Sequence, residues 1–94
     1  NGNCPLMGAS QGGHLAIVKM LLEHGANINQ EDRNGQNSLI KAAENGHLDV
    51  VKFLCENKCN VNHRDTEGNT ALILAAQKGH LEVSQLIGSF GGRM

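Results

Sequence analysis

Thiolate and imidazole are the preferred ligands of zinc, and Cys55, Cys59 and His63 follow one another at intervals of four. A second set, His14, His47 and His80, is spaced by 33 in both steps. The first set raises a metal site, the second general acid–base chemistry. Both depend on whether the elements that carry these side chains bring them to one point.

The spacing of the histidines belongs to a wider pattern. Gly35, Leu39, Ala42, Gly46, His47, Leu48, Val51 and Asn62 recur 33 residues earlier as Gly2, Leu6, Ala9, Gly13, His14, Leu15, Val18 and Asn29. In the other direction the same frame gives Gly68, Leu72, Ala75, Gly79, His80 and Leu81. A fixed period in the range of roughly 20 to 50 residues is the signature of stacked repeat units. A single core in 94 residues would bury only about 60–65% of its unfolded surface. A solenoid avoids this limit because each unit buries its faces against its neighbours.

Within one period, Leu39, Ala42 and Ala43 lie at helical spacing over Ser38 to Asn45, and Gly46 ends the run. Leu48, Val51, Leu54 and Cys55 form a second apolar stripe ending near Asn57. Asn60 to Asn69 is polar and turn-forming, with Asp65 and Gly68 placed as a hairpin requires. The expected fold is therefore an all-α repeat solenoid of short antiparallel helix pairs joined by projecting hairpin loops. Its units fall at 1–31 (partial), 32–64 and 65–94, one repeat domain over 1–94. The chain opens at Asn1-Gly2 inside the register of its first unit, so neighbouring repeats or domains of a parent chain are expected.

This architecture answers the chemical question. The three histidines share one phase, at the start of each second helix, so they stand one repeat apart and cannot converge on a single atom; bonding to turn backbone is the expected role. Cys55 falls on a packed helix, Cys59 just beyond it and His63 on a hairpin, with no fourth ligand. The two thiols are expected as buried small hydrophobes, and neither metal nor cofactor is expected. No nucleophile-and-base motif, glycine-rich phosphate loop or supported carboxylate pair is present, so the chain does not read as an enzyme.

Charge and composition narrow the partners. Eight Lys and Arg against nine Asp and Glu, spread along the chain, leave no basic stripe of the kind a phosphate backbone requires. Apolar runs such as Ala71 to Ala76 fall far short of the roughly 20 residues needed to span a bilayer, which argues against direct membrane insertion. Three cysteines without framework spacing suggest reduced thiols. A cytoplasmic or nuclear location is expected.

Read as a whole, the chain resembles ankyrin repeats. The family pattern of Gly, Thr-Pro-Leu-His, two Ala, Gly-His, a Val-rich second helix and Gly-Ala before Asn-x-Asn is followed in Asp32 to Val51 and in His24-Gly25-Ala26-Asn27-Ile28-Asn29. Several positions depart from it. Thr70 keeps the family's helix cap, Asn37 replaces it in the second unit, and Cys4 is a poor substitute in the first. Met7, Ile40 and Ile73 stand where the family has His, which implies more apolar packing and fewer inter-repeat hydrogen bonds. Lys58 takes the place of Gly25, where the resemblance implies a left-handed helix end and hence strain. In the third unit Ser84 and Gly88 replace Val51 and Cys55, and Phe90 is read as replacing the terminal glycine, giving a degenerate, cap-like end.

The resemblance implies a protein-binding module that holds a partner protein or peptide on the concave face formed by hairpin tips and first helices. The positions that the repeat frame leaves free there are Arg33, Asn34, Gln36, Glu44 and Asn45, matched by Thr66, Glu67, Asn69, Gln77 and Lys78. Lys41 and Leu74, one position beyond the missing family His, are expected at the groove edge. An adaptor or scaffold acting in trans is the leading expectation. The alternative is a structural or autoinhibitory spacer packed against another domain of its parent. Two narrower family roles fit less well. Methyl-lysine reading needs an aromatic cage, and the chain has only Phe53 and Phe90. Asn29 and Asn62 resemble the asparagines that cytosolic hydroxylases modify, but Asn27 and Asn60 stand where an acidic residue is usual.

Overall fold

The computed structural model describes residues 5–91. Each period becomes a helix pair: α1 (Pro5–Gly12) with α2 (Leu15–Glu23), α3 (Ser38–Glu44) with α4 (Leu48–Glu56), and α5 (Ala71–Gln77) with α6 (Leu81–Ser89). The first helices form one row, α1 on α3 on α5, and the second helices another, α2 on α4 on α6. No strand is formed among the described residues. The loops instead close as hairpin-like turns, with Asp32 N donating to Gln36 O at 3.0 Å and Asp65 N to Asn69 O at 2.9 Å.

Helices of seven to nine residues are too short to persist alone in water, so packing has to hold them. Their starts are nonetheless marked locally. Pro5 opens α1, where its missing N–H removes no intrahelical bond. Asn37 Oδ1 accepts from Ile40 N at 2.9 Å and Thr70 Oγ1 from Ile73 N at 3.2 Å, so both expected caps form. Cys4, the weak cap of the first unit, lies outside the described residues.

The middle repeat is sealed from both sides. Leu39, Ala42, Ala43, Val50, Val51 and Leu54 have no exposed surface. Val50 thus belongs to the core, while Leu48, the first residue of the expected stripe, is exposed. The reason is that α4 packs on α2 along one side and on α6 along the other, which widens the buried face beyond a single stripe.

Two of the three histidines, His47 and His80, do bond backbone, but that of the preceding repeat. His47 Nε2 lies 2.8 Å from Gln11 O and His80 Nε2 3.1 Å from Glu44 O. These carbonyls sit at C-terminal helix ends, where no intrahelical N–H reaches them. Because a carbonyl only accepts, each Nε2 carries the proton. Gly46, at φ 74°, turns the chain beneath His80, and a Cβ there would stand 2.8 Å from the ring.

Two helix ends differ in consequence. Lys58 adopts φ 67°, the left-handed conformation that Gly25 holds in the first unit. The reading of Phe90 as the replaced glycine is corrected: Phe90 caps α6 at φ −92°, and Gly91 supplies the left-handed residue at φ 92°. Counting by 33 places Gly91, not Phe90, in register with Gly25 and Lys58. The final helix is also complete, nine residues like α2 and α4.

Candidate functional site

The projecting tips are each wound around one aspartate. Asp32 Oδ1 accepts from Asn34 N at 2.9 Å and Gln36 N at 3.0 Å, while its Oδ2 pairs with Lys41 Nζ at 3.2 Å. Asp65 Oδ1 accepts from Glu67 N and Asn69 N, both at 2.9 Å. Its Oδ2 accepts from Gln36 Nε2, across the repeat boundary, at 3.3 Å. Burial alone would raise both carboxyl pKa values. For Asp32 the Gln36 amide, Lys41 and the Asn34 amide outweigh it; for Asp65 the Asn69 amide, the Gln36 side chain and the Glu67 amide do. Both carboxyls are held below their ordinary value because the bonds favour the charged form.

The tips are also bonded to each other. Thr66 N donates to Asn34 O at 2.9 Å, and His63 Nε2 lies 2.7 Å from Gly35 O. Gly35 is required here twice over: it has φ 72°, and a Cβ would come within 3.1 Å of Thr66 N. The result is a polar cleft of about 230 Å³ lined by Asn34, Gln36, Asp65, Thr66 and Glu67.

Of the residues expected at a binding face, Asn34, Gln36, Thr66 and Glu67 share this cleft. Arg33 is exposed on the same tip. Asn69 is half-buried, its amide engaged by Asp65. Lys41 is half-buried with its ammonium committed to Asp32. Half-buried Glu44 and exposed Asn45, Gln77 and Lys78 lie at the opposite ends of α3 and α5, about 10 Å from the tips at 1.5 Å per residue. Leu74 is the correction: it is buried in the core rather than at the groove edge. It lacks the amine by which Lys41 reaches an aspartate, so its aliphatic side chain settles between packed helices.

The sequence marks Asp65 only as a turn residue and assigns Asp32 no role, whereas both organise the tips. The signal was present in the recurring Asp-x-x-Gly at 32–35 and 65–68.

The remaining chemical candidates separate in space. Cys55 and Cys59 are free and buried, and Asn37 Nδ2 approaches Cys59 Sγ at 3.9 Å. Burial, then the charge of Glu56, pushes the Cys55 thiol up to about 11. Burial, then Cys55, pushes Cys59 up to about 12. His63 is turned to the Gly35 carbonyl and, at 3.6 Å, to Glu31. Among the described residues no group of three or more His, Cys, Asp or Glu is placed to hold a metal ion. Asn29 Oδ1 accepts from Asn60 N at 3.2 Å, and Asn62 Nδ2 donates to Gly91 O at 3.2 Å, so both asparagines tie neighbouring loops together.

A double row of short helices with bonded polar tips defines a helical repeat array, whose accessible chemistry is an extended surface. The family of ankyrin repeats, in three copies, matches residues 6–91, and the chain belongs to that family. Comparison with curated proteins finds no match. Ankyrin repeats are generally protein–protein interaction modules and typically non-enzymatic. No helix among the described residues is long and apolar enough to cross a membrane.

Proposed function

We propose that this chain, as three units bounded near 31/32 and 64/65, is an adaptor that holds a partner protein or peptide across the tips of its second and third repeats. The observation that carries this reading is the bonded pair of tips. Thr66 N to Asn34 O and Gln36 Nε2 to Asp65 Oδ2 fix two loops in one orientation, so a partner need not supply the free energy of ordering them. The cleft between them presents amides, a hydroxyl and the Glu67 carboxylate, which suits a polar or basic segment. Arg33 stands beside it, and Gln77 and Lys78 extend the face along α5. Weak aromatic content limits the available anchors, so modest affinity is expected. Formal charge of −1 and the absence of a basic stripe weigh against nucleic acid, and reduced thiols favour the cytoplasm or nucleus.

The test is capture of partners from cytosolic and nuclear extracts by the native chain and by a variant carrying Arg33→Ala, Thr66→Ala, Glu67→Ala and Lys78→Ala. None of these side chains holds a tip together. A captured protein lost with the variant, whose titration shifts amide resonances of residues 33–36 and 66–69, is the expected result. Equal capture by both forms would remove the tips from consideration. Binding confined to other domains of a parent chain would favour the spacer reading.

A further inference from the structure

The second and third tips are wound alike but differ by one charge. Asp32 Oδ2 is paired with the Lys41 ammonium at 3.2 Å. Asp65 holds the same position one repeat on, and there the place of Lys41 is taken by Leu74, which is buried in the core. Asp65 Oδ2 instead meets a neutral donor, Gln36 Nε2, at 3.3 Å, longer than most bonds of this kind. Arg64, the basic residue beside it in the chain, donates through Nη1 to Gly68 O at 2.7 Å. Among the described residues the ion pairs are Lys41 with Asp32 and His63 with Glu31, so neither Asp65 nor Glu67 is paired with a cation of this chain.

Asp65 is 8% exposed, yet it lines the cleft of about 230 Å³ between the tips, with Glu67 beside it. Buried charges are ordinarily paired, and a carboxylate shielded from water attracts a cation more strongly than one in open solvent. Asn34 and Gln36 add side-chain carbonyls to the same cleft and Thr66 adds a hydroxyl, acceptors that suit a group with several N–H donors. The chain itself shows what fits such a place, because a lysine head already sits on Asp32 one repeat earlier.

We propose that the cleft takes a lysine or arginine side chain of the bound segment, whose charged head pairs with Asp65 Oδ2 and the Glu67 carboxylate as Lys41 pairs with Asp32. The second tip is complete in itself, whereas the third leaves its cation to the partner. This rests on the reading of the tips as the partner-binding face and names the side chain that the face selects.

The test uses three glycine-flanked tripeptides with capped ends, carrying arginine, lysine or neutral glutamine at the centre. Each is titrated into the whole chain and followed by the amide resonances of residues 34–36 and 65–67. The two basic peptides are expected to shift these resonances saturably, and the glutamine peptide to bind about tenfold more weakly, the scale of one charge-assisted hydrogen bond. Glu67→Gln alters an exposed side chain that holds no tip bond and is expected to weaken the basic peptides about tenfold on the same scale. Leu74→Lys supplies the missing ammonium from within the chain and is expected to abolish their binding, while Leu74→Met keeps an apolar side chain and retains it. Circular dichroism checks the fold of each variant, and if Leu74→Lys does not fold, Glu67→Gln decides alone. Equal binding of all three peptides, no saturable shift, or unchanged binding in Glu67→Gln would overturn the proposal while leaving tip binding to be judged by capture from extracts. Saturable basic-peptide binding together with capture that the tip variant leaves unchanged would support the cation site and sink the adaptor reading.

Discussion

His80 Nε2 lies 3.1 Å from the carbonyl oxygen of Glu44, 36 residues earlier in the chain. A side chain at the start of one repeat thereby closes the end of a helix in the repeat before it. Removing it leaves a helix-end carbonyl without its partner, so His80→Ala is expected to cost about 1–2 kcal/mol in urea denaturation. Gly46→Ala forces a Cβ against the same ring and is expected to cost a similar amount. The two losses share one cause, and the double variant should fall short of their sum. Full additivity would mean that the ring and the glycine act independently.

Lys58 is the one non-glycine residue with positive φ among the described residues. A left-handed conformation costs an L-residue about 1–2 kcal/mol. Lys58→Gly is expected to raise the unfolding free energy by about 1 kcal/mol, reduced by the greater freedom glycine has when unfolded. The denaturant slope should stay unchanged.

Asn37 is buried, caps α3 through Ile40 N and lies over Cys59. Asn37→Ala should lower stability by about 1–2 kcal/mol, and Asn37→Thr, the residue type that caps α5, should recover most of it. Thermal unfolding of the three forms decides this.

Asp32 and Asp65 have folded pKa values below their unfolded ones. Their contribution to stability is complete above the unfolded value of about 3.9 and is lost as pH falls through the lower folded values. Below about pH 4 the unfolded chain takes up protons first, and stability falls with pH. The chain is therefore expected to unfold at lower denaturant concentration at pH 3 than at pH 6, and Asp65→Asn should flatten that dependence.

With thiols pushed up to about 11 and about 12, Cys55 and Cys59 hold almost no thiolate near pH 8 and are buried as well. Alkylation by iodoacetamide, followed residue by residue by mass spectrometry, should be slow in the native chain and rapid in urea. Rapid native labelling of either would show that the α4 end opens readily.

How far the site could be read before the fold was known differs from residue to residue. The caps at Asn37 and Thr70 were legible because a cap bonds three residues along its own chain. The strain at Lys58 was legible through its register with Gly25. Leu74 was misplaced because the frame assigns a position, whereas burial depends on what that position meets: Lys41 finds an aspartate and Leu74 finds the core. Asp65 was undervalued because its second oxygen is engaged by Gln36, 29 residues away.

The 33-residue period by itself determined the class of fold, since only a unit repeated in one register places Leu, Ala and Gly-His-Leu alike three times over. Repetition also determined which residues turn the chain, because turns and caps are satisfied within a few residues. Tertiary structure decided what happens between units. It set the His80 to Glu44 and Thr66 to Asn34 bonds and the cleft at the tips. These features depend on the distance between neighbouring repeats, which is set by side chains packing across a boundary, and no pattern within one period contains that distance.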